Sequence, residues 1–289
     1  MLSMHNPVSS MQKRSQSLIS FAKSLRVSWS VLFVLSFGLT MGWARIVQAD
    51  SPETAPPQLK DMLTQIDAAA NRRDVPGVMQ FYGGNFKHSD GLTRGSMEKA
   101  ISQLWQRYSQ LNYRTELKDW KSEGNGVVAE TVTYITGTKP SNGTTLKLES
   151  TMRSRQRIEN QKIVQQEILA ERTQQMSGAN PPNIEVQLPE QVRPGQSFSF
   201  DVIVKEPLGD SLLLGGALED TIKPDLYAKP SEFKLDLLPA GGIFKMGKAP
   251  TKPQDHWLSA VLVRKDGMTM VTQRLQVVNG SSTSRKSIR

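Results

Sequence analysis

The sequence predicts an α+β chain: three helices and a long antiparallel sheet, followed by a separate all-β sandwich. Three observations predict it. Apolar residues recur at helical spacing between residues 59 and 108. The pattern then changes to strict alternation, broken by turn dipeptides, and stays so to the end. The run Met176-Ser177-Gly178-Ala179-Asn180-Pro181-Pro182 divides the alternating region in two and reads as a linker over 176–182.

Before these elements lies an address. Residues 1–26 are polar and basic, Val31 to Trp43 is a 13-residue apolar run, and Val47-Gln48-Ala49 offers small residues before Asp50. That is the layout of a secretory signal peptide over residues 1–49. The run falls short of the roughly 20 residues that span a bilayer, although an uncleaved N-terminal anchor stays open as the second reading. A mature chain without a single Cys fits export to a periplasm or an equivalent compartment and excludes disulfide frameworks, thiolate metal sites and Cys nucleophiles. Residues 50–56 form a short linker.

The first body is expected over 57–175. Leu59, Met62, Leu63, Ile66 and Ala70 mark an amphipathic helix. Asp74 caps a second, with Pro76 in its first turn and Val78, Met79, Phe81 and Tyr82 along it, ended by Gly83-Gly84. Asn85 to Asp90 is extended. A third helix spans Arg94 to Tyr108, with Ser96 starting its core turn. Four strands follow, Leu111–Lys121, Val127–Thr138, Thr144–Ile158 and Lys162–Arg172, joined by turns at Glu123–Gly126, Lys139–Gly143 and Glu159–Gln161. The second body, 183–279, carries about seven short strands, among them Phe198–Val204 and the hairpin closed by Asp266-Gly267. Residues 280–289 are a basic tail.

Residues Asp74, Phe81-Tyr82, Phe86 and His88-Ser89-Asp90-Gly91-Leu92, then Trp105, Tyr108, Leu111 and Tyr113, then the meander, resemble the SnoaL-like or nuclear transport factor 2-like (NTF2-like) superfamily over about residues 56–175. That resemblance implies a curved sheet wrapped around helices to leave a cone-shaped cavity, on a scaffold that hosts isomerases, cyclases, dehydratases and non-catalytic modules. The second body is similar to immunoglobulin-like sandwiches of bacterial exported proteins.

The net charge of +9 suggests a polyanion partner, but it sits at the ends. Residues 1–49 hold five basic residues and no acid, and 281–289 three and none, which leaves 28 basic against 27 acidic residues between them. A nearly neutral body offers no broad footprint for nucleic acid. His88 and Asp90 lie two apart in an extended piece, so they point the same way. They are the candidate acid–base pair, with an Asx turn at Asp90-Gly91 as the alternative. Tyr82, Phe86, Trp105, Tyr108, Tyr134 and Met152 are candidate lining for an apolar pocket, with core packing as the alternative. Arg153, Arg155 and Arg157 alternate along one strand and share a face, as an anion site, or a charged interface paired with Glu167 or Glu171, or a solvated surface. Three scattered His and no Cys predict no metal, and no phosphate loop or nucleophile motif predicts no cofactor.

The expected function is an exported, non-catalytic ligand-binding or assembly module. Its expected partners are a small apolar ligand, a second copy through the sheet of the first body, or a protein docked on the sandwich. The alternative is an enzyme of the ketosteroid-isomerase kind, moving a proton on a small hydrophobic substrate with His88 or Asp90 as base and Tyr82 or Tyr108 as hydrogen-bond donor.

Overall fold

A computed structural model describes residues 50–279 apart from 142, 208–211, 228, 230 and 240. The signal segment 1–49 and the basic tail 280–289 lie outside the described residues. In chain order the elements are α1 (Pro57–Asn71), α2 (Val75–Met79), β1 (Tyr82–His88), α3 (Arg94–Arg107), β2 (Gln110–Glu123), β3 (Gly126–Ser141), β4 (Thr144–Glu159), β5 (Lys162–Gly178), β6 (Ile184–Gln187), β7 (Gln191–Val192), β8 (Ser197–Val204), β9 (Leu214–Thr221), β10 (Asp236–Leu237), β11 (Gly242–Lys248), β12 (His256–Arg264) and β13 (Gly267–Val277).

The local chemistry explains the helical part. Pro57 opens α1, where a missing N–H costs nothing. The Asp74 side chain accepts from the Gly77 N–H at 2.9 Å and starts α2. That helix stops at Met79, earlier than expected, and Gly83-Gly84 lie inside β1 rather than ending a helix. Thr93 and Ser96 cap α3 reciprocally. Arg73, at φ 58°, turns its guanidinium onto the carbonyls of Trp105, Tyr108 and Ser109 at the end of α3.

The sheets overturn the expected fold class. A cone plus a separate sandwich requires two independent sheets. Instead a single ten-stranded sheet runs β10-β9-β12-β13-β5-β4-β3-β2, with β1 added beside β5 and β7 beside β13. The join is β5. Its first half carries β1 in parallel, from Tyr82↔Ile163 to His88↔Gln166. Its second half, on the same edge, carries β13 antiparallel, from Gly267↔Gly178 to Gln273↔Arg172. The strand therefore runs on through Met176, Ser177 and Gly178, the first three residues read as linker. Close backbone approach explains why it can. A Cβ on Gly178, at φ +97°, would sit 2.4 Å from the Asp266 carbonyl oxygen, so glycine is needed there.

Residues paired across neighbouring strands share a face. Thr115, Thr133, Met152 and Glu171 form one such row. Thr115 binds Asp67 of α1 through its hydroxyl at 2.7 Å, so this is the helix-facing side. Following the register onto β13 places Thr272 and Arg274 on the same side and Val271 and Leu275 on the other. There β11-β8-β6 forms a second, three-stranded sheet. Phe198, Phe200, Val202 and Ile243 pack against Leu258, Ala260, Leu262, Val271 and Leu275. Helices thus cover one face of the large sheet and the small sheet covers the opposite face further along. Both arrangements bury apolar strand faces that would otherwise meet water.

The free edge of the large sheet at β2 is guarded. The Asn71 carboxamide imitates a strand, donating to the Tyr113 carbonyl at 3.0 Å and accepting its N–H at 2.7 Å. Asp67 accepts the Thr115 N–H at 2.6 Å, and Asp50 exchanges backbone bonds with Trp120. These groups occupy positions where another chain could add.

Candidate functional site

The seam on β5 is where chemistry concentrates. β1 ends at His88 and the chain turns away through Ser89, Asp90 and Gly91. β13 leaves β5 just beyond Gln273, so Arg274 falls opposite this turn. The Ser89 N–H donates to the Gln166 carbonyl at 2.9 Å, and the Ser89 hydroxyl accepts the Ile168 N–H at 3.2 Å, which fixes the turn against β5. A 3-10 turn, Pro224–Tyr227, lies across it, with Pro224 against Gly91.

Arg274 has no exposed side-chain surface, and the Asp90 side chain is 3% exposed. The pair is bidentate: Nη1 donates to Asp90 Oδ1 at 3.0 Å and Nη2 to Oδ2 at 2.7 Å. Arg274 also donates to Asp255 Oδ2 at 3.0 Å and Glu171 Oε2 at 3.3 Å. The Trp257 indole N–H donates to the same Glu171 oxygen at 3.0 Å. Asp90 accepts two further bonds, from the Ser89 hydroxyl at 3.1 Å to Oδ1 and from the Tyr227 hydroxyl to Oδ2. Four donors thus meet a carboxylate that offers about four lone-pair sites. The Asp90 carboxylate is full.

Electrostatics follow from this packing. Burial alone would raise the Asp90 carboxyl. The hydrogen bonds and charge of Arg274, with the Tyr227 hydroxyl and His88, hold it below the usual carboxylate range. Burial pushes the His88 imidazole below its usual value, with the Asp90 charge opposing and Arg274 adding to the effect. His88 Nδ1 accepts the Asp90 N–H at 3.1 Å, so the ring is neutral, with its proton on Nε2. Tyr227 is raised, first by burial and then by Glu171 and Asp90. A neutral His and an ionised, saturated Asp make a rigid structural cluster.

The expected pocket residues fall into separate groups. Tyr82 and Phe86 meet edge to face, ring centres 4.9 Å apart, and Phe86 leans on His88. Burial pushes the Tyr82 hydroxyl up to about 12. Trp105 donates its indole N–H to the Tyr113 hydroxyl at 2.8 Å and shares a cluster with Tyr82. Tyr108 packs instead with Leu146 and Leu148. Met152 is in the helix-facing row, whereas Tyr134 belongs to the row Arg114, Tyr134, Thr151 and Arg172 on the opposite face. There Arg114 sits over its ring at 4.2 Å. A shallow groove of about 420 Å³ opens over Gln110, Asn112, Thr136, Lys147 and Glu149, and its lining includes none of Tyr82, Phe86, Trp105, Tyr108, Tyr134 and Met152, nor His88 or Asp90.

The arginine row is paired. Arg155 bridges Glu130 and Glu167, Arg157 bridges Glu123 and Glu159, and Arg153 reaches Glu190. Glu171 lies on the other face, with Arg274. Among the described residues no group of three or more His, Cys, Asp or Glu is placed to hold a metal ion.

Sequence reasoning missed Arg274, Tyr227, Asp255 and Trp257. One signal was available. Arg274 continues the alternating face Met268, Met270, Thr272 of a half-buried strand, where a lone cation needs an acid supplied from elsewhere.

Comparison with known proteins adds the following. A family profile described as "Domain of unknown function (DUF8623)" matches residues 179–278. No curated protein matches the chain. Among solved structures, an uncharacterized cystatin-fold protein from Novosphingobium aromaticivorans is similar at 16% identity and TM-score 0.28, over 39% of this chain and 98% of that one. An LEH-like epoxide hydrolase from M. tuberculosis is similar at 8% identity and TM-score 0.28, over 38% of this chain and 80% of that one. Bd1075 of Bdellovibrio bacteriovorus is similar at 15% identity and TM-score 0.28, and the match spans 38% of each chain. The likeness to such proteins is confined to about two-fifths of this chain.

Proposed function

We propose that this protein is a non-catalytic binding or assembly module that works outside the cytoplasm. One observation carries the non-catalytic part. A general base needs a free lone pair and a proton affinity near the working pH, and the Asp90 carboxylate has neither: Arg274, Tyr227 and Ser89 occupy it. His88 spends Nδ1 on a backbone N–H. The address rests on the basic, apolar and small-residue order of residues 1–49 and on the lack of Cys. The ligand-holding reading rests on the sequence expectation alone, since Tyr82, Phe86 and Trp105 pack with one another and with their core neighbours. The assembly reading draws on exposed strand surface in the C-terminal half.

The test is proton exchange. The full chain is incubated in D₂O with a panel of small hydrophobic ketones, and loss of the α-proton is followed by NMR. The expected result is no exchange above buffer. Exchange that needs His88 or Asp90, in variants shown to stay folded, overturns the proposal. The mass of the native protein tests the address, and a chain beginning at Asp50 is expected.

A further inference from the structure

The small sheet ends in a strand whose outer edge is open. The order is β11-β8-β6, so β11 is an edge. Its register with β8 pairs Gly242 with Ile203 through Lys248 with Ser197. The Val204 N–H donates to the Gly241 carbonyl at 3.1 Å and the Ala249 N–H to the Gln196 carbonyl at 2.9 Å. In an antiparallel ladder, bonded residues alternate. Residues 241, 243, 245, 247 and 249 therefore face β8, and Phe244, Met246 and Lys248 turn their N–H and C=O groups outward. Among the described residues, nothing accepts or fills those outward groups.

The side chains on this edge are as unusual as its backbone. Phe244 is 53% and Met246 76% exposed. Both point away from the core, since Ile243 between the two sheets is 3% exposed. Lys245 and Lys248 are exposed on the same seven-residue strand, which carries no acid, and the one acid in register with it is Asp201, opposite Phe244 on β8. Contrast the β2 edge, where Asn71, Asp67 and Asp50 close the ladder.

We infer that β11 is a docking edge that takes an extended acidic–apolar peptide segment of another protein as an added strand. Main-chain bonds to Phe244, Met246 and Lys248 supply affinity. Apolar residues of the partner cover Phe244 and Met246, its carboxylates at the alternate positions meet Lys245 on the other face, and Lys248 adds to the positive field of the strand. Charge selects this occupant over a second copy. Two β11 strands paired edge to edge bring four lysines together with no acid on either strand, a repulsion that an acidic partner does not meet. The inference rests on the assembly reading above and gives it a surface and a partner chemistry.

The probe is a fluorescein-labelled peptide of nine residues, apolar positions alternating with Glu and Thr, titrated with the full chain by anisotropy. Three companions accompany it: a twin with Lys for Glu, a twin N-methylated at alternate backbone nitrogens, and the variant Met246→Pro. Proline at 246 removes an outward N–H and no bond to β8, so the fold is retained. The acidic peptide is expected to bind, the Lys twin about tenfold more weakly, and the N-methylated twin not at all. Met246→Pro abolishes binding at unchanged Tm, and Lys245→Glu shifts preference toward the Lys twin. No binding up to about 1 mM, a Lys twin that binds as well as the acidic one, or an N-methylated twin that still binds overturns the inference. So does concentration-dependent dimerisation lost in Met246→Pro, which assigns the edge to a second copy. The N-methylated arm needs no variant to fold. Failure here leaves the proton-exchange result untouched, so the two readings fail separately.

Discussion

Replacing Asp90 by Ala should cost stability in an amount that the cluster geometry sets. Arg274 is wholly buried, and Asp90 supplies two of its four hydrogen bonds. Removing one partner of a buried ion pair typically costs about 3–5 kcal/mol, because a charge is left uncompensated. Glu171 and Asp255 remain in place at 3.3 and 3.0 Å, which argues for the low end, about 3 kcal/mol. At about 2–4 °C per kcal/mol for a chain of this size, the expected fall in Tm is about 6–12 °C. Thermal unfolding followed by circular dichroism reads it. The double variant Asp90→Ala with Arg274→Met then tests coupling: with both charges gone, the loss should be well below the sum of the singles. A fall in Tm under about 2 °C, or strictly additive losses, would refute the assignment of this pair as a lock between the two halves.

Acid should weaken the fold in two steps. His88 is held below its usual value, so the unfolded chain takes up the proton first, and stability falls as pH drops below about 6.5. His88→Gln should flatten that limb of a Tm-against-pH curve. Asp90 is held low, so its contribution is complete above about pH 4 and is lost as pH falls further, and Asp90→Ala should flatten this lower limb. Asn71→Ala removes both strand-like bonds to Tyr113, at a cost of about 1–2 kcal/mol. It also opens the β2 edge, so light scattering should report self-association that the parent lacks. Gly178→Ala forces a side chain into left-handed backbone and against the Asp266 carbonyl. A loss of about 2–4 kcal/mol by denaturant unfolding is expected, and a neutral result would contradict the β5–β13 join.

Local elements were legible and long-range joins were not. Leu59, Met62, Leu63 and Ile66 at helical spacing give α1, and Asp74 with Pro76 gives α2, because caps and periodicity act within a few residues. The three meander turns fall at Gly124, Gly143 and Asn160, each with positive φ, whereas Lys139 and Pro140, expected in the second turn, lie inside β3. The expected two-body architecture failed at Gln174 to Gly178. These mostly polar residues carry no strand signal of their own; pairing with β4 on one edge and with β13, nearly a hundred residues away, on the other makes them a strand. Asp90 drew notice as a candidate base because its sequence neighbour is His88. Its function as a carboxylate is set instead by Arg274, 184 positions along, and no local pattern announces such a pairing. Aromatics read as pocket lining illustrate the same gap: Tyr134 and Met152 look alike in sequence, and register alone puts them on opposite faces of the sheet.

Scanning calorimetry of the intact protein addresses the joined sheet most directly. If β5 binds both halves into a single cooperative body, one endotherm appears, with calorimetric and van't Hoff enthalpies equal. Two resolved transitions, one of them lost when residues 183–279 are cut away, would mean that the halves melt alone and that the shared strand does not hold them.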